Sequence, residues 1–93
     1  SNIINTMKYT ELTNAVQAIK GAIFKATTSL GYINQEQLAL YYGIGRFVSV
    51  NTRNKNWGKG FIEAISEQLR KELPGLRGFS TASLRKMRTF YEE

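Results

Sequence analysis

From Leu12 onward the apolar positions Leu12, Val16, Ile19, Ile23, Ala26 and Leu30 recur at alternating spacings of four and three. That spacing is one stripe of an amphipathic helix, predicted over about Tyr9 to Leu30. Such a stripe faces either a core or, as a heptad seam, a second copy of the chain; the core is the ordinary destination. Gly31 ends this pattern, and Asn34 followed three residues later by Gln37 is a capping-box signature for a second helix over Gln35 to Ser49. Its apolar residues Leu38, Leu40, Tyr41, Tyr42, Ile44, Phe47 and Val48 cover more than one stripe, so this helix is expected to be central. Gly43 and Gly45 each cost a helix about 1 kcal/mol against Ala, which points to a close helix approach rather than a local break.

The segment Val50 to Asn56 holds three Asn, two bases and no acid, and reads as an exposed loop before Trp57-Gly58. The β-branched piece Val48-Ser49-Val50 is the one place where brief strand pairing is conceivable. A third helix follows with Phe61, Ile62, Ile65, Leu69 and Leu73 on one face, and Glu67 and Lys71 as an i,i+4 pair. Pro74 stops it, because proline lacks an amide hydrogen and disfavours α geometry at Leu73, and Gly75 and Gly78 allow the chain to turn. Ser80 is a good N-cap for a fourth helix, with Phe79 and Leu84 placed as a hydrophobic staple. On that helix Leu84, Met87, Phe90 and Tyr91 share one side, and Thr81, Arg85, Arg88 and Thr89 the other, flanked by Lys86. The expected class is all-α, about four helices, the last two arranged like a helix-turn-helix.

Composition narrows the chemistry. The 93 residues suit a single domain with a thin core. With no Cys, His or Asp, thiolate and imidazole metal sites, cysteine nucleophiles and the Ser-His-Asp arrangement are excluded together. The net charge of +6 is uneven: four bases and two Glu precede Arg53, whereas nine bases and five Glu lie from Arg53 onward. No run reaches the length of an apolar membrane span, and Ser1-Asn2-Ile3-Ile4 is no signal sequence, so a cytoplasmic protein without membrane attachment is the expectation. Residues 1–8 read as a tail, with Ser1-Asn2 a possible tag remnant, and residues 9–93 as the helical module.

The ordered set Leu40-Tyr41-Tyr42-Gly43-Ile44-Gly45-Arg46, Trp57-Gly58, Leu73-Pro74-Gly75, Gly78-Phe79-Ser80, Leu84 and Met87-Arg88-Thr89-Phe90-Tyr91 resembles the N-terminal region of YhcG-type proteins. The resemblance spans roughly Tyr9 to Tyr91. It implies a helical domain associated with DNA binding, placed ahead of a C-terminal nuclease domain of the PD-(D/E)XK class. The nuclease half and its carboxylates are absent here, so the chain is expected to be a fragment, and any divalent metal would belong to that missing half. No cofactor is expected for this module. Met87, Phe90 and Tyr91 would lack the segment that covers them, which favours a homodimer or exchanged helices.

For a DNA-binding module, the fourth helix is the natural reader. Arg85 and Arg88 suit guanine edges, Lys86 suits phosphate, and Ser80 and Thr81 at the helix start can hold phosphate. Arg53, Lys55, Lys59 and Arg77 would form a rim of phosphate contacts. Each of these bases is also, by itself, an ordinary solvated side chain. Arg46 reads better as an internal partner of Glu36, Glu63 or Glu67, and Trp57, Tyr41 and Tyr42 read as core aromatics rather than stacking platforms. The competing function is an oligomerisation or partner-docking module. An enzyme is disfavoured because Glu63 and Glu67 form only a helix face, and Lys59-Gly60 is no P-loop.

Overall fold

The computed structural model describes residues 2–28, 34–58 and 60–93, with side chains described for 8–26, 38–58 and 60–93. Four helices follow one another: α1 (Asn2–Thr28), α2 (Asn34–Asn54), α3 (Phe61–Glu72) and α4 (Thr81–Glu92). Among the described residues there is no strand, and Val48-Ser49-Val50 is helical. The packing forms a ring in which α1 touches α2 and α3, and α4 touches α2 and α3, so that α2 and α3 face each other diagonally.

The predicted stripe of α1 is a core face: Val16, Ile19 and Ile23 are buried with Ala15, and Leu12 and Ala22 pack against them. Leu30, Gly31 and the side chains of Asn34 and Gln37 lie outside the described residues. The helix starts earlier than the pattern indicates, at Asn2 rather than Tyr9. Residues 2–8 contain no Gly or Pro, and extending an existing helix is far easier than nucleating one.

The loop expected over Val50 to Asn56 is mostly helix, a correction with a local cause. Asn51 Nδ2 donates to the Phe47 carbonyl at 2.8 Å and Thr52 Oγ1 to the Val48 carbonyl at 2.6 Å, so these polar side chains place their donors on carbonyls of their own helix and are accommodated within it. The helix ends when Asn56 adopts φ 51°, and the Trp57 amide returns to the Thr52 carbonyl at 3.3 Å, a Schellman closure with Asn in the position glycine usually takes. Trp57 then fills the diagonal of the ring. Its ring centroid lies 5.9 Å from that of Phe47 on α2 and 4.5 Å from that of Phe61 on α3, and Nε1 donates to Glu11 Oε1 on α1 at 3.4 Å.

The α3–α4 connection agrees with its sequence. The Leu76 amide donates to the Leu73 carbonyl at 3.0 Å across Pro74-Gly75, with Gly75 at φ 88°, the pattern of a type II turn. Ser80 caps α4: its side chain accepts from the Ser83 amide at 3.1 Å. From Leu73 to Ser80 the connection is longer than the three or four residues of a helix-turn-helix, and α4 packs chiefly along α2.

The two glycines of α2 behave differently. A Cβ on Gly45 would overlap the Met87 carbonyl of α4, so this residue sets the closeness of the α2–α4 crossing, whereas a Cβ on Gly43 meets nothing within 4 Å. Close approach is therefore the role of Gly45 alone. Met87 is buried, so only Phe90 and Tyr91 of the three residues expected to lie open are accessible.

Candidate nucleic-acid interface

Helix α4 buries Leu84 and Met87, and this fixes which side looks outward. A three-and-four spacing about those two positions leaves Arg85, Lys86 and Thr89 exposed and Arg88 half-buried. The α2–α3 connection approaches the same region. Arg85 and Arg88 line a notch of about 200 Å³ with Thr52, Trp57, Gly58, Gly60, Ile62 and Glu63. The structure thus brings together two of the three α4 bases and the residues flanking Lys59, which itself lies outside the described residues.

The surrounding acids change the picture of a uniformly basic reader. Arg85 donates to Glu63 Oε2 on α3 at 2.9 Å, with both side chains about half exposed. Lys55 stands 3.8 Å from Glu11, and Arg53, which is helical rather than on a loop, donates to Ser49 Oγ at 3.1 Å and lies 4.0 Å from Glu92. Among the described residues Lys86 and Arg88 meet no carboxylate. Such exposed pairs are worth roughly 0–1 kcal/mol, so they lower local positive charge without locking the side chains.

The supposed rim is not continuous. Arg53 and Lys55 close α2 near the start of α3, while Arg77 follows the end of α3, about 18 Å of helix away. Arg77 is exposed, Thr81 is half-buried, and the Ser80 hydroxyl is engaged in capping. Arg46 is exposed rather than internal: Glu63 is taken by Arg85, Glu67 faces Lys71 at 3.9 Å, and Glu36 lies outside the described side chains.

Of the three aromatics expected in the core, Trp57 is buried and Tyr41 is half-buried with its ring edge-on to Phe79. Tyr42 is not a core residue. It is 48% exposed and meets Phe90 and Tyr91 edge-on at 6.0 and 5.1 Å, forming an aromatic patch beside exposed Leu38. A separate cleft of about 590 Å³ lies between α1 and α2, walled by Ala18, Ala22, Ala39, Leu40 and Gly43 over a floor of Ile19 and Ile44.

Sequence reasoning missed the acids that answer these bases, because Glu11, Glu63 and Glu92 come from other helices and no local spacing announces them. It also missed Glu72. Gln68, Lys20 and Gln17 donate to its carboxylate at 2.9, 3.0 and 3.2 Å. These hydrogen bonds, that from Gln68 foremost, together with the Lys20 charge hold Glu72 below the usual carboxylate range.

Among the described residues no group of three His, Cys, Asp or Glu could hold a metal ion. No described helix is long and apolar enough to cross a membrane. Neither a curated protein nor a solved structure matches the chain. Residues 11–93 match the DUF1016 N-terminal domain, in agreement with the YhcG-type pattern of Leu40 to Tyr91, and the chain belongs to that family.

Proposed function

We propose that this module binds DNA through the outward side of α4 and the neighbouring α2–α3 connection, with Arg85, Lys86 and Arg88 as the principal contacts. One observation carries the reading: three bases fall within four residues of one helix, Arg85 and Lys86 exposed and Arg88 half-buried, and the two arginines share a notch with a turn. Lys55, beside the end of α2, extends the positive edge, and Lys59 is assigned to it from its place in the sequence alone. Helix α4 is fixed from behind by α2, so these side chains are presented on a rigid element. In a longer parent the resemblance supports a nuclease of the PD-(D/E)XK class, and a catalytic divalent metal would belong to that part. The function of this chain is then to bind and orient, and not to cut.

The test is fluorescence anisotropy with labelled random duplex DNA at about 50 and about 200 mM salt. Three phosphate contacts predict that affinity falls about 40-fold between those conditions, through release of condensed counterions. An Arg85→Ala, Lys86→Ala, Arg88→Ala variant is expected to lose binding with its helical circular dichroism intact. Absence of binding by the unaltered chain at low salt would rule the reading out.

The exposed rings of Tyr42 and Phe90 favour a second reading, in which α2 and α4 dock a second copy. It predicts a concentration-dependent mass in sedimentation velocity, reduced to that of one chain by Phe90→Ser. The two readings are compatible, since a dimer would present the basic face twice.

A further inference from the structure

The notch between α4 and the start of α3 has a composition that selects its ligand. Among the described residues its ionisable lining is two guanidiniums, Arg85 and Arg88, and one carboxylate, Glu63, over a floor that includes Trp57 and Ile62. The polar hydrogens of the other lining side chains are already used: Thr52 donates to the Val48 carbonyl, and Trp57 to Glu11. Among the described lining side chains the donors left for a ligand therefore belong to the arginines, and Arg88 meets no carboxylate among the described residues. A site with a charge surplus of this sign takes an anion. The planar forks of N–H groups on these two arginines suit the tetrahedral oxygens of a phosphate, and about 200 Å³ is ample room for one such group.

We infer that this notch seats one phosphate group between Arg85 and Arg88, and that Glu63 occupies Arg85 until the phosphate displaces it. Resting on the DNA-binding reading above, the inference identifies the ligand as a backbone phosphodiester and adds a built-in competitor. The Glu63 carboxylate, 2.9 Å from the Arg85 guanidinium, stands in for a phosphate oxygen. Its pair with Arg85 is about half exposed, so displacement is easy, and each binding event exchanges one anion for another. Glu63 thus weakens every phosphate contact at this position by a constant factor, independent of base sequence.

The experiment compares the unaltered chain with Glu63→Gln, Glu67→Gln and Arg88→Ala, using labelled duplex DNA across a salt series. Glu63→Gln is expected to tighten binding about threefold by freeing Arg85. Glu67→Gln makes the same change of charge one turn further along α3, where Glu67 faces Lys71, and is expected to alter affinity by less than about 1.5-fold. Arg88→Ala is expected to reduce the slope of log affinity against log salt by about 0.9, the loss of one phosphate contact. Because Arg88 is half-buried, Arg88→Lys is run beside it, and thermal melts confirm that each variant folds.

Equal gains from Glu63→Gln and Glu67→Gln, or an unchanged slope in both Arg88 variants, would overturn the notch. In that case loss of binding in the triple α4 variant still supports DNA binding through other contacts. Titration calorimetry with inorganic phosphate separates the two sources of the ligand. Phosphate binding that is lost in Arg88→Ala, with no DNA binding at all, keeps the notch as a free-phosphate site and removes the DNA reading. No binding of either probe overturns both.

Discussion

Two seams hold the ring of helices together, and they are made differently. Along α2–α4 the backbones come into contact: Gly45 lies against the Met87 carbonyl, and buried Ser49 donates to Glu92 Oε2 at 2.6 Å. Along α1–α3 the chain is joined at its rim by long polar side chains, Lys20 and Gln17 reaching Glu72, while Val16, Ile65 and Leu69 pack in the core. The first seam fixes the position of α4, and with it the direction in which Arg85, Lys86 and Arg88 point. The second adds adjustable contacts at the surface. Substitutions at the first should therefore act on both stability and the basic face, and those at the second on stability alone.

The largest effect is expected at Gly45. A methyl there must push the α4 backbone away, and overpacking of this kind costs roughly 1–3 kcal/mol, at times more. Gly45→Ala should lower the midpoint of thermal unfolding by about 10 °C, taking 4–8 °C per kcal/mol for a domain of this size. An unchanged midpoint would mean that the seam is looser than this crossing indicates.

Next comes Ser49→Ala, which removes the buried hydroxyl between α2 and the end of α4. Glu92 can regain water, so the expected loss is about 1 kcal/mol rather than the full penalty for a buried unpaired charge. Urea titrations would measure it. Pairing it with Glu92→Gln in a double-mutant cycle would separate the hydrogen bond from simple packing, since independent sites would give additive losses.

How far these seams could be read from sequence depends on the range of the signal. The stripe of α1, the Pro74-Gly75 turn and the Ser80 cap are set by neighbours within four residues, and the structure reproduces them. Asn56 illustrates the limit: three Asn between Asn51 and Asn56 suggest a loop, yet two of them belong to the last turns of α2 and the third closes it in the left-handed region. Gly43 and Gly45 look equivalent in sequence, and only the passage of Met87 distinguishes them. For the candidate site, the accessible bases of α4 were legible from helical spacing. Their counter-ions were not, because Glu63, Glu11 and Glu92 are delivered by the fold.

Gly43 tests the contrast within a single helix. A Cβ there meets nothing, so Gly43→Ala keeps only the gain in helix propensity, about 0.5–1 kcal/mol of added stability. The same substitution two residues apart is thus expected to change sign. Destabilisation by Gly43→Ala would show that α1 closes over this cleft more tightly than the described contacts indicate.

The smallest effect belongs to the rim of the α1–α3 seam and is visible only in acid. The hydrogen bonds from Gln68, Lys20 and Gln17, with the Lys20 charge, favour the ionised form of Glu72 in the folded state, so its folded pKa lies below its unfolded value. A group of this kind contributes stability that is fully present above the unfolded pKa, about 4.3 for Glu, and is lost as the pH falls through the folded pKa. Thermal midpoints measured from pH 7 to pH 2.5 should therefore stay level at the upper end and decline below about pH 4.3. In Glu72→Gln that part of the acid decline should disappear, while DNA affinity at pH 7 remains that of the unaltered chain. If affinity fell together with stability, the α1–α3 seam would also be steering α4, and the division of labour between the two seams would have to be abandoned.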